Sequence, residues 1–471
     1  MRRFSVAVCL IICFAAVAAL SACSGDERTR AEYEINCVYS EEGVLSVGET
    51  VEFSAEKDGQ NRAYFNFYPL AMTEQAEITP LENSDVAGSV AVRSVTAGGK
   101  STQYEFSGNN GFIVNLDKSY SSGQRVKISI DYDLTLPKGD KRLSITAKTV
   151  NLGNFYPILA VFDDKGEAVF CDYYGIGDPF YSETADYKVS VTVPSEYTVA
   201  ASSYASSLDV DGDLTKYEYR QSAVRDFAIV MSKEYNVVSK NAGDTTVNYY
   251  YYADQTPEET VSLAAEALNY FSDRFLKYPF DTFSVAQATF SEGGMEYPLS
   301  CLVSDKLSVE GYRYALVHEI AHQWWYSLVG NDQVNESYLD ESLAEYSAYL
   351  FFDEHNGYGL TSQNFIDEAV SAVKLCEKIN QGREGFSPKV KQSLTEYGGE
   401  YVYVNMVYNK GLLMMESAEN VLGREKTINR LSAYCKKYAY RIADTEDFLS
   451  AMGNLKPIIL SYLEGKTALY P

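Results

Sequence analysis

The sequence predicts an α+β chain of two folded units: an N-terminal β-sandwich or large open sheet, then a mainly helical unit. Three observations carry this. Runs such as Val126 to Tyr132 and Tyr187 to Val193 alternate apolar and polar residues with the period of a half-buried strand. Clusters of Gly, Asn, Asp and Ser punctuate them, as at Ser107-Gly108-Asn109-Asn110-Gly111 and Asp209-Val210-Asp211-Gly212-Asp213. Beyond Pro257 the pattern turns helical and stays so to the end of the chain.

In chain order, residues 1–22 come first. Arg2 and Arg3 precede an apolar run from Phe4 to Leu20, and Leu20-Ser21-Ala22-Cys23 closes it, the layout of a secretory signal. The last four residues resemble the bacterial lipoprotein signal, which predicts lipidation at Cys23 and a membrane-anchored, extracytoplasmic protein. An ordinary cleaved signal and an uncleaved anchor helix are the alternatives, although the run is shorter than the roughly 20 residues a spanning helix needs. Residues 23–30 read as a tether and 31–240 as the β domain. Near Asn241-Ala242-Gly243-Asp244 the texture changes, and 241–471 reads as the second domain. One more strand, Val247 to Tyr252, leads to a helix from Pro257 to Phe275. There Pro tolerates the first turn, and Glu258 and Glu259 complement the helix dipole.

Composition narrows the function classes. Forty tyrosines fit a β unit with half-buried strands. A formal charge of −25 speaks against a phosphate-backbone partner, so no nucleic acid is expected. After removal of Cys9 and Cys13 and lipidation of Cys23, five widely spaced cysteines remain: Cys37, Cys171, Cys301, Cys376 and Cys435. An odd set at such spacing is no disulfide framework.

The chemistry lies in His318-Glu319-Ile320-Ala321-His322. The run sits in a helical pattern read from Tyr312 to Val329, with Ala315, Ile320, Trp324 and Leu328 at spacings of four and five. Residues four apart stack on one helix face, so both imidazoles can reach one metal ion. The chain then turns through Gly330-Asn331-Asp332. A second helix is expected to start near Ser337, with Asp340 completing a weak capping box and Glu341 in its first turn. A helix-loop-helix reversal can bring Glu341 beside the two rings. Two His and one Glu, with a fourth position for water, make an open catalytic zinc site. A lone HExxH is a weak signal. Here it accounts for two of only three histidines, and Glu341 follows with eighteen residues between it and His322. The third, His355, reads as a helix C-terminus.

The run from His318 to Glu341 resembles the gluzincin aminopeptidases typified by membrane alanyl aminopeptidase. Gly293-Gly294-Met295-Glu296-Tyr297-Pro298 resembles that family's GxMEN motif, and Tyr408-Asn409-Lys410-Gly411 its Tyr-x-Lys-Gly segment. Gly177 to Tyr181 and Arg225-Asp226-Phe227 look like its N-terminal β domain. The resemblance implies a saddle-like β domain ahead of a thermolysin-like zinc peptidase domain, with one zinc ion held by His318, His322 and Glu341. Glu319 is then the general base, and Tyr408 donates a hydrogen bond to the oxyanion of the tetrahedral intermediate. Glu296 anchors a free α-ammonium, while Gly293, Gly294 and Met295 line the pocket for the first residue. Tyr403 is a secondary candidate. Asp340 and Glu345 are either partners of the imidazoles or solvated helix charges, and Lys410 is either a surface charge or a carboxylate partner.

The implied activity is hydrolysis of N-terminal residues from peptides with a free amino terminus. A catalytically weak, zinc-stabilised peptide-binding lipoprotein is the alternative from another class, and a thermolysin-type endopeptidase is disfavoured by Glu296. Two departures stand out. Tyr297 replaces the motif's Asn. Only about sixty residues follow Tyr408, so the large helical C-terminal domain of many relatives is expected to be missing and the cleft more open. The preferred first residue, the oligomeric state and the β-domain residues that touch the substrate amine do not emerge from the sequence.

Overall fold

The computed structural model describes residues 28–73, 86–163 and 165–466. The expected leader and Cys23 lie outside these. Among the described residues no helix is long and apolar enough to cross a membrane.

Residues 31–235 build three sheets. The largest has eight strands, in the order 205–211, 214–224, 185–194, 31–40, 44–54, 125–135, 89–97 and 100–101. Ala31–Ser40 pairs in parallel with Ala185–Pro194 and antiparallel with Val44–Ser54. Along Ala31–Ser40 burial alternates strictly: Tyr33, Ile35, Cys37 and Tyr39 point inward while Glu32, Glu34, Asn36 and Val38 face solvent. One wet and one dry face is what the period of two demands. Two four-stranded sheets cover the dry face and close an aromatic core. Several tyrosines lie inside it: Tyr33 stacks on Tyr187 at 4.9 Å, and the Tyr156 hydroxyl donates to that of Tyr187 at 2.9 Å. Tight turns occur where the sequence signals them, with Gly108 and Gly212 at positive φ. Cys37, Cys171, Cys301, Cys376 and Cys435 are all free and buried.

The second unit opens with the hairpin Asn236–Ala242 and Thr245–Tyr251. Its five-stranded sheet runs in the order 236–242, 245–251, 282–288, 300–304 and 294–295. The strands 245–251, 282–288 and 300–304 are parallel, whereas Gly294–Met295 is an antiparallel edge. Thr282–Ala288 and Ser300–Ser304 are buried throughout, because both faces of the sheet are covered. Phe283, Val285, Cys301 and Val303 point into the helical core. Ala286, Ala288 and Leu302 point into the core of the β unit. This sheet is therefore the partition between two apolar cores.

Helix Pro257–Arg274 begins at its proline, carries Glu258 and Glu259 in the first turn, and buries Val261, Ala264, Leu268 and Phe271 on one stripe. The next helix, Val309–Ala321, is shorter than the 312–329 pattern suggests. Ser308 caps it by accepting from the Gly311 N–H, and it ends with His322 as C-cap. Residues 323–328 then form a compact turn with Tyr326 at φ +116°, leading to a short strand, Val329–Gly330, beside Arg441–Ile442. Trp324 and Leu328 are fully buried in this turn, so apolar spacing there reports burial without helix. The following helix also differs from expectation. Ser337–Leu339 is a 3₁₀ turn, the α-helix is Glu341–Glu354, and no capping box forms, because the Asp340 carboxylate accepts from Asn331 and Gln333 instead.

A helical run over 400–422 packs against Glu341–Glu354. At Asn405–Asn409 it widens to a π-helical turn. A Cβ on Gly411 would run into Ser342, so glycine permits the close approach of the two helices. Ser342 Oγ donates to the Val407 carbonyl at 2.7 Å. Lys410 is fully buried and donates to Glu377 and to the Pro388 carbonyl, both at 2.7 Å, which makes it a carboxylate partner.

A buried acid sits in the β core away from any site. Glu49 points inward between Val47 and Val51, and neither carboxyl oxygen has a hydrogen-bond partner. Burial pushes its carboxyl well above the ordinary value. In the unfolded chain Glu49 ionises near about pH 4.3, while the native side chain keeps its proton to higher pH. Stability should thus fall as pH rises between the two values, by about 1.4 kcal/mol per pH unit. Urea unfolding from pH 5 to 8 should show the gain of Glu49→Leu over the parent growing with pH. Parallel curves would contradict a neutral buried acid.

Candidate active site

Three side chains from two helices converge in a buried cluster. His318 and His322 come from the end of helix Val309–Ala321, and Glu341 from the first turn of Glu341–Glu354. Glu341 Oε2 lies 3.1 Å from His318 Nε2 and 3.3 Å from His322 Nε2, and the two Nε2 atoms are 3.1 Å apart. One donor atom from each lies within 4.8 Å of the others, the single such group among the described residues. Donors about 2.0–2.1 Å from a tetrahedral ion lie ~3.3 Å from one another. The observed edges match that spacing, and two imidazoles with one carboxylate are the donor chemistry of an open zinc site.

Both rings are oriented from behind. His318 Nδ1 donates to Glu345 Oε2 at 3.0 Å, and His322 Nδ1 donates to the Trp325 carbonyl at 2.9 Å, which leaves each Nε2 facing the centre. Burial alone would raise the Glu341 carboxyl, but the His322 and His318 imidazoles outweigh it and hold it well below the usual range. Around this centre burial pushes the other acids up: Glu319 and Asp340 each to about 7, and Glu296 well above its ordinary value.

A cleft of roughly 400 Å³ opens onto the cluster. Glu319 lines it on the face of Gly294, where a Cβ would collide with the Glu319 carboxylate. Gly293, at φ +92°, turns the chain at the rim. Glu296 follows the edge strand into the cleft. Met295 does not, which corrects the expectation that it lines the pocket. Successive strand side chains point to opposite faces, so Met295 is fully buried behind the wall, its sulfur 3.3 Å from the Arg142 guanidinium. Tyr297 takes the same inward direction, and its ring fills a slot that Gly153 leaves in the β unit. Tyr408 sits on the π-turn with its ring parallel to that of His318, 5.7 Å between centroids. Tyr403 meets Tyr408 edge-on at 5.7 Å and also lines the cleft. His355 caps helix Glu341–Glu354 and stacks on Phe351, away from the cluster.

Gln333, Arg142 and Asp178 were not picked out as site residues from sequence. Gln333 Nε2 donates to Glu296 at 2.9 Å and to Asp340 at 2.6 Å, tying the edge strand to the helix that carries Glu341. Asp340 therefore acts through Gln333 and does not bond an imidazole directly. The β unit adds Arg142 and Asp178, an ion pair in the cleft wall with the guanidinium over the Phe180 ring at 5.3 Å. Asp178 lies within the quoted Gly177–Tyr181 segment, a usable signal. Arg142 and Gln333 carry none.

Residues 259–463 match the peptidase family M1 domain. The chain is 25% identical over 291 residues to aminopeptidase M1-B of Oryza sativa subsp. japonica, covering 57% of this chain and 32% of that protein. It is 28% identical over 174 residues to membrane alanyl aminopeptidase of Heliothis virescens, covering 35% of this chain and 17% of that one. The chain thus spans about a third of the length of the rice relative. Among solved structures, the M1 zinc metallopeptidase from Deinococcus radiodurans shares the fold, with a TM-score of 0.68 at 17% identity over 94% of this chain and 96% of that one.

If Glu345 orients His318, Glu345→Ala should weaken divalent metal binding by about 10–100-fold without unfolding the protein. Competition with a chelating dye reads this, and unchanged affinity would remove the orienting role.

Proposed function

We propose that this protein is a zinc-dependent aminopeptidase, hydrolysing the first residue from peptides with a free amino terminus, a reading supported by the match of residues 259–463 to the peptidase family M1 domain. The observation that carries the reading is the shared cleft of His318, His322, Glu341, Glu319 and Glu296. His318, His322 and Glu341 hold one zinc ion, which supplies Lewis acidity toward water and the scissile carbonyl. Glu319, offset from the ligand face, takes a proton as water oxygen bonds to the carbonyl carbon. It returns that proton to the departing amine as the C–N bond breaks. Tyr408 donates its phenol proton in a hydrogen bond to the developing oxyanion, from the same side as the His318 ring on which it stacks. Glu296, held by Gln333, receives the α-ammonium and sets the distance from amino terminus to scissile bond. Gly293 and Gly294 keep that approach clear of side chains.

The protein works outside the cytoplasm, held to a membrane by lipid at Cys23. This part rests on the arginines, the apolar run and the Leu-Ser-Ala-Cys sequence. Replacing Cys23 by Ala should release the protein from the membrane fraction, and retention of the variant would sink the anchor.

Recombinant protein given free and N-acetylated aminoacyl substrates tests the activity. Only the free form should be cleaved, and equal cleavage would remove the role of Glu296. Glu296→Ala should lower kcat/KM for the free form by roughly 10–100-fold, the worth of a charged hydrogen bond. Glu319→Gln should lose about 10²–10⁴ in turnover while keeping its zinc. A wild-type protein that binds zinc and peptide without turnover would favour a binding role instead.

A further inference from the structure

The β unit reaches the turn behind His322 through a side chain with no place in the chemistry above. Arg225 is 1% exposed, and its guanidinium spends its donors on backbone carbonyls from three separate segments. Nε donates to Tyr326 O at 2.9 Å, Nη1 to Ser182 O at 2.6 Å, and Nη2 to Arg441 O at 3.2 Å. Gly330 presses against it so closely that a Cβ would overlap the guanidinium. Next to Arg225, the Asp226 carboxylate accepts the Tyr326 hydroxyl. Two consecutive residues of the β unit thus grip one residue of the catalytic unit, at both its carbonyl and its phenol.

That residue is strained. A tyrosine at φ +116° lies where side-chain-bearing residues are rarely found, and such a conformation persists only when its surroundings over-determine it. The peptide bond before it carries the Trp325 carbonyl, which accepts from His322 Nδ1 at 2.9 Å. The turn folds back further, with Ser327 N donating to the His322 carbonyl at 3.0 Å. Relaxing Tyr326 toward negative φ would swing this carbonyl, and with it the imidazole.

We propose that Arg225 is a positioning residue for the metal site: by gripping Tyr326 it holds the strained turn whose Trp325 carbonyl orients the His322 ring. The β unit is then part of the metal centre as well as of the cleft wall. This rests on reading His318, His322 and Glu341 as zinc ligands. A lysine at 225 keeps the charge but has no planar fork, so it cannot hold three carbonyls in three directions.

The test uses the full mature chain, with zinc affinity measured by chelator competition, and folding followed by near-ultraviolet circular dichroism. In folded Arg225→Lys, zinc affinity should fall about 10–100-fold, the usual effect of losing an orienting partner. Turnover should drop at limiting zinc and recover in excess zinc, with KM unmoved. Tyr326→Phe removes the Asp226 bond but leaves Arg225 in place, and should shift affinity the same way by less. It decides the matter if Arg225→Lys does not fold. Folded variants that melt earlier but bind zinc as tightly as the parent would overturn the proposal and leave Arg225 purely architectural. A parent protein that binds no stoichiometric zinc would sink the zinc reading itself, a separate outcome.

Discussion

Three donor atoms at 3.1 to 3.3 Å from one another set the terms for everything around them. Two imidazoles and a carboxylate do not crowd together in a protein interior unprompted, since each loses its hydration. The two imidazoles are fixed from behind by partners outside the cluster, Glu345 on His318 and the Trp325 carbonyl on His322, while Glu341 enters from the first turn of its own helix. Those partners are in turn fixed by packing between helix Glu341–Glu354, the compact turn after His322, and the π-turn that carries Tyr408.

The five-stranded sheet makes this arrangement one object. Its alternating side chains enter two cores, so the edge strand leading into Glu296 is anchored in the β unit on one face and exposes its glycines on the other. Met295 and Tyr297 are the anchors, Gly294 and Glu296 the working face. The same division explains how a bulky Tyr297 can stand where the resembling motif has Asn: the side chain points away from the cleft, into space left by Gly153. Arg142, Asp178 and Arg225 show that the β unit also supplies charge, at the cleft wall and behind the His322 turn.

Local pattern was a reliable guide where a segment's neighbours are its own sequence neighbours. The strands around Val126–Tyr132 and Tyr187–Val193, the glycine turns at 108 and 212, and the proline-started helix at 257 are all present, because alternation, positive φ and N-terminal capping act over a few residues. Pattern misled where burial has a long-range cause. Trp324 and Leu328 carried an apparent helix to Val329, yet the helix stops at Ala321, and both side chains enter the helical core from the turn that follows. Asp340 looked like a capping partner, yet Asn331 and Gln333 compete for its carboxylate and win.

The HExxH spacing by itself places two imidazoles on one helix face, since 3.6 residues per turn leaves no other geometry for residues four apart. It also marks Glu319 and, with the later Glu341, the chemistry of the donor set. What no spacing could decide is the inter-residue distance between segments: that Glu341 closes the cluster, that Gln333 bridges Glu296 to Asp340, and that Arg225 reaches Tyr326. Those contacts join residues whose separation along the chain carries no period, so only the packing of two cores on one sheet brings them together.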